Sequence, residues 1–156
     1  MPDRLVLMSV KPKYAEMLLA GRKTVEVRRV RPAVEGGDWV LVYASSPKKQ
    51  LLGAFQVDEL YEASPSDLWE HLGAQTGVPH DAFFAYFRGA HMGVGIRVRQ
   101  TLSFPHPASL DRIRESIPQF QPPQAYRYLR YGTQVRDVLL GLVTDCTDSV
   151  SNLLVG

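Results

Sequence analysis

Cysteine is almost missing from this sequence, and long apolar runs are missing altogether. The single cysteine, Cys146, has no partner for an internal disulfide and excludes a multi-cysteine zinc site, which points to a reducing compartment. The opening residues Met1-Pro2-Asp3-Arg4-Leu5 carry no apolar stretch of the kind a secretion signal needs. Stretches such as Val138 to Val143 fall far short of the roughly 20 apolar residues of a membrane helix, so a cytoplasmic chain with no membrane partner is expected. The nucleotide-binding patterns Gly-x-Gly-x-x-Gly and the phosphate loop ending in Gly-Lys-Ser/Thr are absent, as is the Gly-x-Ser-x-Gly elbow. His71, His80, His91 and His106 are scattered, with no pair four apart and no cysteine companion. No cofactor and no bound metal are therefore expected.

What is present suits one globular domain. Of the 156 residues, 45% are hydrophobic and 22% charged, and a chain of this length buries about two-thirds of its unfolded surface around a single core. Residues 1–143 read as that domain and 144–156 as a C-terminal tail, docked or loose. The net charge of +2 conceals an asymmetry: residues 1–31 hold 8 Lys and Arg against 3 Asp and Glu, a net of +5, and the remainder carries −3. A local excess of this kind concentrates anionic ligands.

Leu5 to Val10 is an apolar strand, and Pro12 starts a short helix to about residue 20 that Gly21 ends in a left-handed conformation. Thr24 to Arg29 alternates as a strand, with Val25 and Val27 on one side and Thr24, Glu26 and Arg28 on the other. Trp39 to Ala44, Gln50 to Val57 and 93 to 102 read as further strands. Ser64 caps a helix that Gly73 is expected to stop, and a second helix is expected over 81 to 88 with Phe83, Phe84 and Phe87 as its buried stripe. Ser109 begins another short helix, and Val135 to Val143 fits either helix or strand. Between them, Tyr126-Arg127-Tyr128-Leu129-Arg130-Tyr131 interleaves aromatics with arginines, which suits base stacking with phosphate contact; on a helix, Arg127, Arg130 and Tyr131 would share a face.

The run from Gly21 to Arg28 carries the most chemistry. Same-face residues on a strand stand about 6.6 Å apart, so Glu26 and Arg28 can touch, and Lys23 reaches the same region from the strand's start. Arg28 then offers a planar fork to a phosphate or base edge, Glu26 holds it, and Lys23 adds a mobile point charge. The same spacing fits a plain exposed ion pair worth at most about 1 kcal/mol.

The stretch Met8-Ser9-Val10-Lys11-Pro12-Lys13-Tyr14-Ala15 through Arg28 resembles the opening of the ASCH family, whose Gly-x-Lys-x-x-Glu-x-Arg signature is matched at Gly21, Lys23, Glu26 and Arg28. The stretches from Gly37 to Pro47 and from Leu52 to Phe55 are similar to the strands that follow in that family. Phe84-x-x-Phe87-x-Gly89 and Pro122 to Leu129 are similar to its longer bacterial members, often described as transcriptional regulators. The resemblance implies an α+β fold, a PUA-like small mixed β-barrel of five or six strands decorated by short helices. It also implies a cleft between barrel and helices that binds RNA or another nucleic acid, most simply a single strand or one nucleotide. Lys23, Glu26 and Arg28 would line that cleft, with Tyr43, Ser45 and the Lys48-Lys49 pair at its border. Lys11, Lys13 and Arg127 complete the candidate contacts.

Three further readings come with the family. One branch hydrolyses N4-acetylcytidine with a lysine and a threonine three positions later, but here Glu26 stands three positions after Lys23. Another is associated with cleavage of single-stranded RNA, a reaction in which Lys23 and Glu26 are the catalytic candidates, as charge stabiliser and base. The third is a regulator bound to duplex DNA, for which the sequence offers no helix-turn-helix pattern.

Overall fold

The computed structural model describes residues 4–144. The expectation of a docked or loose tail lies outside the described residues.

Strands β1 (Leu5–Val10), β2 (Val25–Arg28), β3 (Trp39–Ala44), β4 (Gln50–Ala63), β5 (Gly93–Ser109) and β6 (Tyr126–Tyr128) form one mixed sheet in the order β2-β5-β4-β3-β1-β6. Among the described residues five helices decorate it: α1 (Pro12–Leu19), α2 (Pro65–Thr76), α3 (His80–Tyr86), α4 (Leu110–Ser116) and α5 (Gln134–Thr144). The sheet curls into a half-barrel, the PUA-like α+β architecture expected. Register shifts between Val42 and Tyr43 on β3, and at three places along the β4–β5 ladder, supply the bulges that bend it.

β1 and β3 pair in parallel, and apolar groups cover both of their faces. This explains their nearly unbroken apolar sequences, because a strand buried on both sides loses the alternation of a half-exposed one. Val6, Met8, Val40 and Val42 pack with Phe55, Ile96 and α1's Leu18 inside the curl. Leu5, Leu7, Leu41 and Tyr43 pack on the other face against Ile113 of α4 and Leu139 of α5. A third cluster joins Val25 and Val27 of β2 to Leu68 and Leu72 of α2 and to Phe83 and Phe87 beyond. The alternation read in β2 therefore holds, and its polar face turns away from that cluster.

Several local expectations need correction. Gly73 lies within α2, where its bare Cα abuts the Trp69 ring, and the helix continues to Gly77, whose φ of +70° makes the left-handed stop. β4 and β5 run past their expected ends, to Ala63 and Ser109, as a long antiparallel pair. Tyr126 to Tyr128 is a strand and not a helix. It pairs antiparallel with β1, so Arg127 alternates outward and shares no helical face with Arg130 and Tyr131. The segment from 135 to 143 is helical.

β2 and β6 are the two edges of the curled sheet. The seam between β2 and the strands at the far edge stays open, and the site lies there.

Candidate functional site

Gly21, with φ +78°, ends α1 and drops Lys23 at the head of β2. Lys23 is not the mobile exposed charge that spacing alone suggests: it is 1% exposed. Its Nζ donates to the Thr76 carbonyl at 2.6 Å, lies 3.3 Å from Glu26 Oε1 and sits 5.2 Å from the centre of the Tyr14 ring. Thr76 is the last residue of α2, so one ammonium ties β2 to a helix end 53 residues away. The other Glu26 oxygen, Oε2, accepts from Arg28 Nε at 2.9 Å and lies 2.7 Å from Arg28 Nη2. Arg28 Nη2 also donates to the Ser9 carbonyl at 3.0 Å, bridging β2 to β1 across the open seam. Lys23, Glu26 and Arg28 thus form one buried ionic network, unlike an exposed pair.

Beside the network lies a cleft of about 730 Å³, walled by the ends of β1 and β3, by α1, α3 and α4, and by the segment from Gln121 to Gln124. The volume is within the range of small-molecule pockets, and its lining mixes apolar walls with a few convergent polar groups. Of the sequence candidates, Lys11, Lys23, Glu26, Arg28, Tyr43 and Ser45 line it together. Lys13, Lys48 and Arg127 do not line it; of the lysine pair, Lys49 turns to the cleft while Lys48 lies by a shallow depression near Leu19 and Phe104.

The end of the cleft away from the network was only half visible in the sequence. Tyr43 is 2% exposed, and its hydroxyl makes no hydrogen bond with the described residues although it is not sealed from solvent. Burial raises its pKa, with nearby Arg114 pulling the other way, so the phenol keeps its proton at neutral pH. Arg114 is positioned by donating Nε to the Phe120 carbonyl at 3.0 Å. Lys49 is exposed and adopts φ +52°, the only positive φ of a non-glycine among the described residues. Backbone strain of this kind costs on the order of 1–3 kcal/mol and gathers at working sites. Arg114, Tyr14, Tyr86 and the Gln121–Gln124 wall went unassigned because they come from four elements whose meeting no local spacing announces.

The network makes an asymmetric prediction. Its three charges sum to one positive, so Glu26→Gln leaves two buried cations facing each other, whereas Lys23→Met leaves a neutral Glu26–Arg28 pair. Urea unfolding should show Glu26→Gln losing about 3–5 kcal/mol and Lys23→Met losing less; the reverse order would mean that the carboxylate does not hold the network. A second prediction concerns pH. Burial holds the Lys23 ammonium below its ordinary value of 10.5, with Glu26 pulling it back up and Arg28 pushing it further down. Between the lowered value and 10.5 unfolding takes up a proton, so this lysine's contribution to stability grows as pH rises through the window and is lost as pH falls through the folded value. Urea midpoints followed from neutral to alkaline pH should show the wild type gaining on Lys23→Met, and a constant gap would contradict the shift.

Comparison with known proteins follows the same residues. The sequence matches the ASCH domain over residues 8–101, more than half the chain. It is 28% identical over 130 residues to an ASCH domain-containing ribonuclease of Zymomonas mobilis, covering 83% of this chain and 87% of that protein. The crystal structure of ASCH from Zymomonas mobilis superimposes with a TM-score of 0.81 at 26% identity, over 90% of this chain and 96% of that one. A serine-to-alanine variant of the Zymomonas protein gives 0.82 at 28% identity, over 92% and 100%. The chain belongs to the ASCH domain family.

Proposed function

We propose that the cleft binds single-stranded RNA and cleaves it. The observation that carries this reading is the Tyr43 hydroxyl, protonated and without a hydrogen-bond partner among the described residues, opening into a cleft that also presents Lys49 and Arg114. The similarity to a ribonuclease over most of both chains supports it.

Cleavage of this kind needs no metal in principle. The ribose 2′-oxygen attacks the adjacent phosphorus, the 2′-O–P bond forms and the P–O5′ bond breaks. The products are a 2′,3′-cyclic phosphate and a free 5′-hydroxyl, the 2′-hydroxyl proton passing to solvent water and another proton reaching the 5′-oxygen. Negative charge builds on the non-bridging oxygens in between, so donors aimed at that position lower the barrier most. Lys49 and Arg114 supply mobile and fixed positive charge there, and Tyr43 donates a hydrogen bond or the proton for the leaving oxygen.

The ionic network has a different part. Lys23 and Arg28 spend donors on backbone carbonyls and on Glu26, so they form a rigid, charged floor. Arg28 Nη1 and one lone pair of Glu26 Oε1 are left to meet a nucleotide, which makes these residues contacts for binding. Glu26 occupies the place of the threonine of the acetylcytidine-hydrolysing branch and is tied to two cations. That arrangement favours recognition over nucleophilic attack.

The purified chain should cleave single-stranded RNA to products ending in cyclic phosphate, with Tyr43→Phe and Lys49→Ala each lowering kcat about 100-fold in proteins that keep their urea midpoints. Gel analysis of end-labelled RNA reads both products and rate. Undiminished cleavage in both variants would overturn the assignment, and failure of the wild type either to cleave RNA or to bind it at low salt would overturn the function.

A further inference from the structure

Tyr86 is 42% exposed at the C-terminal end of α3, yet it lines the cleft. An exposed tyrosine normally samples its rotamers freely, but this one is held from three sides. Its ring meets Phe87 edge to face, with centroids 4.9 Å apart at 77°, and Phe87 is itself buried against Phe83. Its hydroxyl faces the Arg29 backbone and lies within electrostatic reach of Arg28 and Glu26. Arg29 Nη1 donates to the carbonyls of Tyr86 and Arg88 at 2.8 and 2.9 Å, clamping the helix end that carries the ring. Arg88, next but one along the chain, is exposed and has no side-chain partner among the described residues.

An aromatic ring that is exposed, fixed and flanked by an unpaired guanidinium is the usual furniture of a single-strand site: the ring stacks on any base, and the cation meets the neighbouring phosphate. We infer that Tyr86 and Arg88 form a nucleotide-stacking subsite at the rim of the cleft, so that the substrate is a strand extending past the cleaved bond. The inference rests on the RNA reading above and gives it a direction. The strand runs from the Tyr43, Lys49 and Arg114 end, over the ionic floor, and out across Tyr86 towards Arg88. The rim position explains why this aromatic side chain of α3 stays exposed while Phe83 and Phe87 are buried. It also assigns Arg29 a positioning part, since its clamp fixes the ring and leaves Arg88 free.

The test is a series at one position. Tyr86→Phe keeps the ring, Tyr86→Leu keeps apolar volume without it, and Tyr86→Ala removes both. Affinity for a fluorescent single-stranded DNA of about ten nucleotides, which lacks the 2′-hydroxyl and so binds without being cleaved, should fall on the order of tenfold for Leu and Ala and stay near wild type for Phe. On RNA the same variants should raise KM in parallel and leave kcat within about twofold, an order-of-magnitude expectation for a group that only binds. Arg88→Ala should reduce the slope of log affinity against log salt by about one. A flat series on both nucleic acids, or a fall in kcat with KM unchanged, would overturn the subsite while leaving ribonuclease action in place. If RNA is not cleaved but DNA binding follows the order Phe, then Leu and Ala, the subsite stands and the cleavage reading fails.

Discussion

A single carboxylate, Glu26, holds the two cations that join separate parts of this fold. Lys23 reaches through it to the end of α2, and Arg28 reaches past it to the end of β1. The Arg28 link crosses the open seam of the half-barrel, where no backbone ladder joins β2 to the far edge, and the Lys23 link ties β2 to the helix packed beside it. Charges so deeply buried are costly unless each is paired and hydrogen-bonded. The network meets that requirement through alternate partners, an ammonium on one carboxylate oxygen and a guanidinium on the other, with backbone carbonyls taking remaining donors.

From that constraint the working surface follows. Because the floor is held by its own contacts, ligand chemistry falls to the groups around it that have donors to spare. Tyr43 keeps its proton because it is buried, Lys49 is held by an unusual backbone angle, and Arg114 is anchored through Nε and Nη2, leaving Nη1 without a partner among the described residues. At the opposite rim Tyr86 is fixed by Phe87 and Arg29. In the proposed reading the family signature builds the floor on which the nucleotide rests, and the groups that act on the scissile bond stand beside it.

The sequence told much of this and misplaced the rest for physical reasons. Alternation in β2 separated Val25 and Val27 from Glu26 and Arg28, and the caps at Ser64 and Ser109 are where they were read. The burial of Lys23 was not legible, because its partner at Thr76 is reached only after the chain has passed through three more strands and a helix. Gly73 looked like a helix stop, yet it is a contact surface for Trp69, and the left-handed stop falls at Gly77. The polar stretch from Asp58 to Glu62 hid the extension of β4, since pairing with β5 there is set by the partner strand and not by alternating hydrophobicity. Arg127 lies on the edge strand β6, which pairs with β1, and does not line the cleft.

The central claim is that one cleft, rather than the basic residues scattered outside it, receives a nucleic acid. It is tested most directly by backbone amide shifts during titration with a 2′-O-methylated single-stranded RNA, which binds without being cut. The account predicts saturable shifts, weakened by salt, centred on Ser9, Lys11, Tyr43, Lys49 and Tyr86 and absent from Arg127. Shifts centred on the β6 edge, or none at low salt, would contradict it.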